Sequence, residues 1–214
     1  GRMIDGLKFI KQNSDGSIND VRADDHPTTP FDTEDDFNTN SVVMSDLGYR
    51  CYYFGGGDDG VMRTNKTSIE IDGEKFSFFF EKSGKYKGAG KTGEKDDKLY
   101  QSGKMLAAGS DEKYQVIKTL DANKDKNDDN DALKGYKKLD DVQAFREEVA
   151  PAGETILPAT TPTDALLSSL GINKKADDVD ELYVVPTKDK DGLDVKGKYF
   201  LVNTSGKVIN SKSK

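Results

Sequence analysis

Short runs of aromatic and β-branched residues alternate along the chain with polar stretches that contain glycine. Such runs are typical of strands, and a few polar residues ending in glycine are typical of the turn before a return strand. This order occurs in CYYFGGGDDGVMRT, IEIDGEKFSFFFEKSGKYKGAG, KLYQSGKMLAAGSDEKYQVI and KGKYFLVNTSGKVINSK, and more weakly in LKFIKQNSDGSIND. The pattern predicts a series of β-hairpins.

One glycine has an equivalent place in each of these segments: Gly16, Gly60, Gly84, Gly103 and Gly206. A tight hairpin connection needs a residue with positive φ, which glycine adopts without strain. A two-stranded hairpin is marginally stable alone, so hairpins of about twenty residues are expected to pack on one another. We therefore predict a mainly β fold of stacked, β-solenoid-like hairpins with aromatic rings between them, and a small helical insertion.

The insertion is predicted over residues 121–180. Residues 121–131 are nearly all charged or amide-bearing, which indicates an exposed loop. A first helix is predicted with Asp140 as its cap and Pro151 as its end, because Leu139, Val142, Phe145 and Val149 are spaced for approximately one helical face. A second is predicted from a Thr161 cap to Gly171.

Four segments follow from these patterns. Residues 1–44 form an N-terminal segment with a possible weak repeat, in which 22–37 are interpreted as an acidic loop. Residues 45–120 carry the hairpin repeats. The insertion of 121–180 follows, and residues 181–214 return to strand at ELYVVPTKD and end in a C-terminal hairpin.

Composition restricts the partners. The 214 residues are 34% hydrophobic and 33% charged, with a net charge of −7. The acidic balance lacks the basic footprint of nucleic-acid binding. No apolar run approaches the about 20 residues that span a bilayer. We expect neither nucleic-acid binding nor membrane insertion.

The candidates for chemistry are few. Cys51 is the single cysteine and His26 the single histidine, which excludes an internal disulfide framework and a zinc site of several thiolates. A Cys51–His26 nucleophilic pair is one interpretation, and a small buried cysteine within a strand is the favoured one.

A second candidate is the string DANKDKNDDNDAL, which starts like a calcium-binding EF-hand loop at Asp121, Asn123, Asp125 and Asn127. Lys126 stands where that loop needs glycine, and Ala132 stands where it needs glutamate. A solvated acidic loop is the favoured interpretation. Phosphate loops and nucleophile elbows are also missing from the sequence, so we expect no metal, no cofactor and no enzymatic activity.

The hairpin segments resemble the cell-wall-binding repeats of Gram-positive surface proteins, a superfamily that includes choline-binding modules. Three groups of residues carry the resemblance: Gly197, Tyr199, Phe200, Leu201, Val202, Gly206 and Val208; Tyr52, Tyr53, Phe54, Gly60 and Met62; and Ile71–Gly73 with Phe78, Phe79, Phe80 and Gly84. The chain has no tryptophan. Cys51, Ser77 and Tyr199 stand where the repeat has its first tryptophan, and Lys66 lies near the second. The resemblance therefore favours the hairpin array over a choline cage of aromatic rings.

The resemblance implies a non-catalytic protein, secreted or attached to the cell wall, that binds wall polysaccharide or teichoic acid. An alternative is a structural or protein-interaction scaffold whose repeats have lost ligand binding and whose partner is another surface protein. A third hypothesis is an enzyme with its site in residues 121–180.

The candidate ligand-binding residues are the aromatic and methionine side chains of the repeats: Tyr49, Tyr52, Tyr53, Met62, Phe76, Phe78, Phe79 and Tyr199. Because side chains alternate across a strand, about half of them must face inward. One interpretation makes these residues the core between hairpins, and the other makes them a solvent-facing platform for sugar rings.

Overall fold

The computed structural model describes residues 4–55, 60–121, 133–139, 163–179, 182–185, 187–188, 191–194, 197–209 and 211–213. The fold is mainly β, with antiparallel sheets, and that part of the prediction is confirmed. The chain divides into two compact units. The first comprises Gly1–Leu106 and Leu120–Tyr136, and the second comprises Ala107–Thr119 and Lys137–Lys214.

The first sheet of the first unit contains strands β1 (Gly6–Gln12), β2 (Ile18–Arg22) and β3 (Tyr49–Phe54), in the order β2-β1-β3. The weak N-terminal copy is thus a real hairpin, with Gly16 at φ +85° in its turn. The aromatic run of β3 pairs along its whole length with β1.

Helix α1 (Glu34–Asp46) separates β2 from β3. The interpretation of residues 22–37 as a loop is therefore wrong from Glu34 onward. The hydroxyl of Thr33 accepts a hydrogen bond from the Asp36 backbone N–H and caps the helix. Phe37, Ser41 and Met44 are buried at the spacing of one helical face.

The second sheet of this unit has five strands: β4 (Asn65–Ile71), β5 (Glu74–Phe80), β6 (Gly93–Lys95), β7 (Lys98–Gln101) and β8 (Lys104–Met105). Their order is β4-β5-β8-β7-β6. Asp72 and Gly73 make the β4–β5 turn, and Ser102 and Gly103 make the β7–β8 turn, all with positive φ. Two successive positive φ values are what a two-residue hairpin turn with native twist requires.

The predicted turn glycines lie between antiparallel segments and have positive φ: Gly60 at 54°, Gly84 at 86°, Gly103 at 95° and Gly206 at 75°. After Gly60 and Gly84, however, the return segment makes only single bridges, Phe54 to Met62 and Phe80 to Gly90. The segment after Gly60 has only the apolar pair Val61–Met62 before it becomes polar, and the segment after Gly84 is rich in lysine and glycine. Neither has the alternation that sustains a strand. The extended partners of β3 and β5 are β1 and β4.

One cluster forms the main core of the first unit. Its buried members are Phe9, Phe31, Phe37, Met44, Tyr49, Cys51, Ile69, Ile71, Phe78 and Phe80. The ring centroids of Phe9 and Phe31 are 5.0 Å apart, and those of Phe37 and Phe78 are 5.5 Å apart, both edge to face. The cluster thus joins α1 to both sheets of this unit.

A four-stranded sheet contains β9 (Tyr114–Asp121), β10 (Leu133–Leu139), β12 (Tyr199–Asn203) and β13 (Val208–Ile209), in the order β10-β9-β12-β13. The second unit includes β9 up to Thr119, β10 from Lys137, and all of β12 and β13. A second pairing joins β11 (Leu182–Val184) to β14 (Ser211–Ser213), so the predicted return to strand near residue 181 is confirmed. The described residues of this unit include two small clusters: Val116, Leu139 and Leu201 in one, and Leu167, Val179 and Leu182 in the other.

The described helical part of the predicted insertion is helix α2 (Asp164–Ser169), followed by a 3₁₀ turn at Ala176–Asp178. The cap of α2 is Thr163, whose hydroxyl accepts from the Leu166 N–H at 3.2 Å, and not Thr161. Thr163 has the same hydroxyl and is followed by an acidic residue suited to a first turn. Asp121, the first residue of the predicted loop, is instead the last residue of β9, and Leu139, predicted on the face of the first helix, is instead the last residue of β10. The rest of the predicted loop to residue 131, the predicted helix from Asp140, and Thr161 itself lie outside the described residues.

No helix within the described ranges has both the length and the hydropathy needed to cross a membrane.

Candidate functional site

Four of the eight predicted ligand-binding residues are buried. Tyr49 and Tyr52 are 7% exposed, Phe79 is 3% exposed and Phe78 is 1% exposed. Phe78 stacks on Phe80 with ring centroids 5.8 Å apart. The core interpretation accounts for these four rings.

The other four are partly buried. Tyr53 and Phe76 pack against the main core of the first unit, and Met62 packs against Ile10, Tyr52 and Ala89. Tyr199 lies in the second unit, packed against the cluster of its sheet. Seven of the eight predicted residues belong to three clusters of described residues, and Phe79 packs on Tyr100 with ring centroids 6.0 Å apart.

A cleft of about 340 Å³ opens beside β3 in the first unit. We call it the Arg50 cleft. Its lining comes from the end of α1, from β3, from the turn after β5 and from the β7–β8 turn: Ser45, Gly48, Tyr49, Arg50, Cys51, Glu81, Tyr86, Ala89, Gly90, Lys91, Thr92 and Ser102.

Backbone hydrogen bonds hold the floor of the Arg50 cleft. The Gly90 N–H donates to the Cys51 carbonyl at 2.7 Å, the Lys91 N–H to the Phe79 carbonyl at 3.0 Å, and the Gly103 N–H to the Lys91 carbonyl at 2.7 Å. Each bond ties the segment around Lys91 to a strand or a hairpin turn. Main-chain bonds to regular strands make this a rigid site.

A cation and an aromatic ring form one side of the cleft. The guanidinium carbon of Arg50 lies 3.5 Å from the centroid of the Tyr86 ring. The Tyr86 side chain is 37% exposed, and Arg50 is partly buried. The Arg50 side chain makes no hydrogen bond or ion pair with any residue that the structure describes, so its guanidinium N–H donors remain available.

Hydroxyl groups and one ion pair complete the lining. The Ser45 and Ser102 hydroxyl oxygens are 3.3 Å apart, and the Ser102 N–H donates to Thr92 Oγ1 at 3.0 Å. Lys91 Nζ lies 3.6 Å from Glu81 Oε1. The arrangement offers several hydrogen-bond donors around one partly exposed ring.

Cys51 is not set up as a nucleophile. Its side chain belongs to the main core and is 1% exposed, and burial raises the pKa of the thiol well above its ordinary value. A thiol with a raised pKa is inert, because the thiolate is the reactive species. The predicted partner His26 lies in the loop after β2, where its Nδ1 is 3.0 Å from Thr29 Oγ1.

A second cleft of the first unit, of about 290 Å³, is acidic. Asp24, Asp32, Glu70 and Asp72 line it with Tyr53. Across the described residues, no group of three or more His, Cys, Asp or Glu side chains is arranged to hold a metal ion.

Arg50, Tyr86, Thr92 and Ser102 are not among the site residues predicted from the sequence. One signal was present: Arg50 is the only charged residue within the aromatic run of β3, between Tyr49 and Cys51. The other three come from turns and short irregular segments, and only the fold brings them to the same place.

The chain matches no family model, no curated protein and no solved structure. The geometry of its own residues therefore has to support any functional proposal.

Proposed function

We propose that the protein is a non-catalytic binding protein, secreted or attached to the cell wall, whose ligand is wall polysaccharide or teichoic acid. The observation that carries the proposal is the Arg50 cleft, in which the partly exposed Tyr86 ring is surrounded by hydroxyl, guanidinium and ammonium groups. Sugars combine hydroxyl groups with apolar C–H faces, so they suit sites that pair an aromatic face with fixed hydrogen-bond donors.

We further propose that the glycine-turned ribbons are units of a stacked, solenoid-like hairpin array related to cell-wall-binding repeats. Their common feature supports this: the ribbons turn at Gly60, Gly84, Gly103 and Gly206 with the same backbone handedness. A polymer that contacts several weak sites at once is held far more tightly than its single unit. Weak stacking at one cleft is thus compatible with firm adhesion.

Retention on purified Gram-positive cell walls tests the proposal. The wild-type protein should bind and should not be eluted by choline, because the chain has no tryptophan with which to build an aromatic cage. Tyr86→Ala should reduce retention about tenfold, because it removes the ring on which a sugar would stack and the ring on which Arg50 packs. Tyr86→Phe keeps the ring and is the matched control. If the wild-type protein is not retained on the cell walls, the proposal is wrong.

A second candidate function is a protein-interaction scaffold. Val43 and Leu47 lie one helical turn apart near the end of α1 and are 43% and 46% exposed. Adjacent exposed apolar side chains are typical of contact surfaces. The test compares retention on protein-bearing walls with retention on walls stripped of protein. Retention on protein-bearing walls alone, abolished by the double variant Val43→Asp and Leu47→Asp, would favour the scaffold over the sugar-binding protein.

A further inference from the structure

We infer that the Arg50 cleft is an oxyanion site, which takes the carboxylate or the phosphate of a negatively charged sugar unit. This inference rests on the proposed function, because it names the part of the wall polymer that the cleft recognises. Carboxylate and phosphate share the planar pair of acceptor oxygens that an arginine fork binds.

The packing of Arg50 on Tyr86 prepares the guanidinium for such a group. A separation of 3.5 Å from the ring centroid is van der Waals contact, which places the guanidinium against the ring face. A stacked guanidinium keeps its N–H donors at its rim, where they point away from the ring. The ring also restricts the side chain, so less entropy is lost when an anion binds.

The charges of the lining favour an anion. Arg50 and Lys91 are its cations and Glu81 is its one carboxylate. Glu81 lies 3.6 Å from Lys91, so these two charges largely offset each other. The positive charge of Arg50 therefore has no carboxylate partner in the cleft lining, although the chain as a whole has a net charge of −7.

The neutral groups of the cleft supply further donors. Thr92 Oγ1 accepts from the Ser102 N–H, which leaves the Thr92 O–H proton for another acceptor. Between the Ser45 and Ser102 hydroxyls, one proton is used in their mutual bond and the other is free. The site can therefore bond an oxyanion at Arg50 and the ring hydroxyls of a sugar at its hydroxyl side.

The size of the cleft limits the ligand. About 340 Å³ lies near the lower end of the range of small-molecule sites. One sugar unit with its charged group fits this volume.

Titration calorimetry with glucuronate, inorganic phosphate and glucose tests the inference on the intact chain. Glucuronate or phosphate should bind in the millimolar range and at least about tenfold more tightly than glucose, because hydrogen bonds to charged groups are the stronger ones. Binding of glucuronate alone identifies a carboxylate ligand, and binding of phosphate alone identifies a phosphate ligand. Added salt should weaken either interaction.

Arg50→Gln should weaken anion binding at least about tenfold, and Arg50→Lys should recover only part of it, because an ammonium cannot bind two oxygens in one plane. Lys85→Gln is the matched control. Lys85 is a cation 5.3 Å from the same ring centroid but outside the cleft lining, so its loss should change affinity less than about twofold. Thermal unfolding establishes whether each variant is folded. If Arg50→Gln is not folded, the anion affinity of Arg50→Lys is compared with that of the wild type instead.

Equal affinity of the wild type for glucose and for both anions would overturn the inference, and so would full anion binding by a folded Arg50→Gln variant. Wall retention by a wild type that binds neither anion would leave the proposed function standing without the oxyanion site. Anion binding lost in Arg50→Gln, with no wall retention by the wild type, would leave the site standing without the proposed function.

Discussion

At the scale of single residues, Gly90 in the lining of the Arg50 cleft packs too closely on neighbouring backbone to carry a side chain. Its backbone lies against the β7–β8 turn, and a Cβ atom there would meet the Ser102 carbonyl group and lie 2.8 Å from the Gly103 nitrogen. Real Cβ atoms do not come that close to backbone atoms. Glycine is therefore required at position 90 by packing, while its φ is not in the left-handed region.

Gly90→Ala should destabilise the protein by about 3 kcal/mol, since the added methyl group must displace backbone held by hydrogen bonds. Gly109→Ala is the matched control, because no atom lies within 4 Å of its Cβ position and its φ is not positive. Urea unfolding of the two variants gives the comparison. Equal stability of both variants would show that the backbone around Gly90 shifts to admit the methyl group without loss of free energy of unfolding.

Residue types alone could not separate core from site. The aromatic residues of β3 and β5 were predicted either as core or as a ligand platform, and four of the candidates are buried rings. Arg50 was not selected, because a single charged residue in a strand usually marks only its solvent face. Its proposed role depends on contact with Tyr86, a residue of a turn whose path no periodicity predicts.

At the scale of elements, Lys104 connects α1 to the second sheet. Its side chain is 2% exposed, its Nζ lies 2.7 Å from Glu34 Oε1 and 3.1 Å from Asn38 Oδ1, and it is 4.6 Å from the Phe76 ring centroid. A buried ammonium is tolerated only with partners of this kind. Glu34 and Asn38 lie in the first turns of α1, so the same contact fixes the start of the helix on the sheet.

Glu34→Ala should lower the free energy of unfolding by about 2 kcal/mol, because it removes the carboxylate partner of the buried Lys104 ammonium. The loss is moderated because Asn38 still accepts from Lys104 and because the Glu34 side chain is 40% exposed. Lys104→Met should change stability by less than about 1 kcal/mol, because it removes the buried charge and keeps the packing volume. Thermal unfolding of both variants measures the difference. A larger loss for Lys104→Met than for Glu34→Ala would contradict this account.

Some elements were predictable and others were not, for physical reasons. The β7–β8 and β12–β13 hairpins follow from local turn chemistry, because Gly103 and Gly206 decide them within a few residues. The β4–β5 hairpin was missed, since Asp72–Gly73 was interpreted as the start of a repeat. Helix α1 was missed because its sequence is rich in Asp and Asn, although Thr33 and Phe37 gave the cap and the first buried position.

At the scale of the whole molecule, buried tyrosines link stability to alkaline pH. Burial, with a smaller contribution from the charge of Glu94, raises the pKa of Tyr136 to about 12. Burial also raises the pKa values of Tyr52 and Tyr100. In the unfolded chain a tyrosine loses its proton near pH 10. Between these pH values the unfolded state binds fewer protons than the folded state, so stability falls as pH rises.

The stability of the wild type should therefore decline between about pH 10 and 12 more steeply than that of Tyr136→Phe, while below pH 10 the difference between them should not change with pH. Urea unfolding at a series of pH values gives both slopes. Parallel curves for the two proteins across this range would show that Tyr136 ionises equally easily in the folded and unfolded states.

Composition and alternation were enough to predict a mainly β molecule, because they depend on each strand separately. Sheet order and the two units were not predictable in this way. They are set by pairings such as β1 with β3 and β9 with β12, whose residues lie far apart in the sequence. Local turn signals specify only neighbouring strands.

The pairing of β9 with β12 has a consequence for biosynthesis. Val116 pairs with Leu201, about 85 residues later, so β9 emerges from the ribosome well before its partner has been translated. The strands of the first unit up to Met105 are complete by then and can fold during translation. For a time β9 offers unpaired backbone groups to other nascent chains, and slower elongation over the following segment would prolong that exposure.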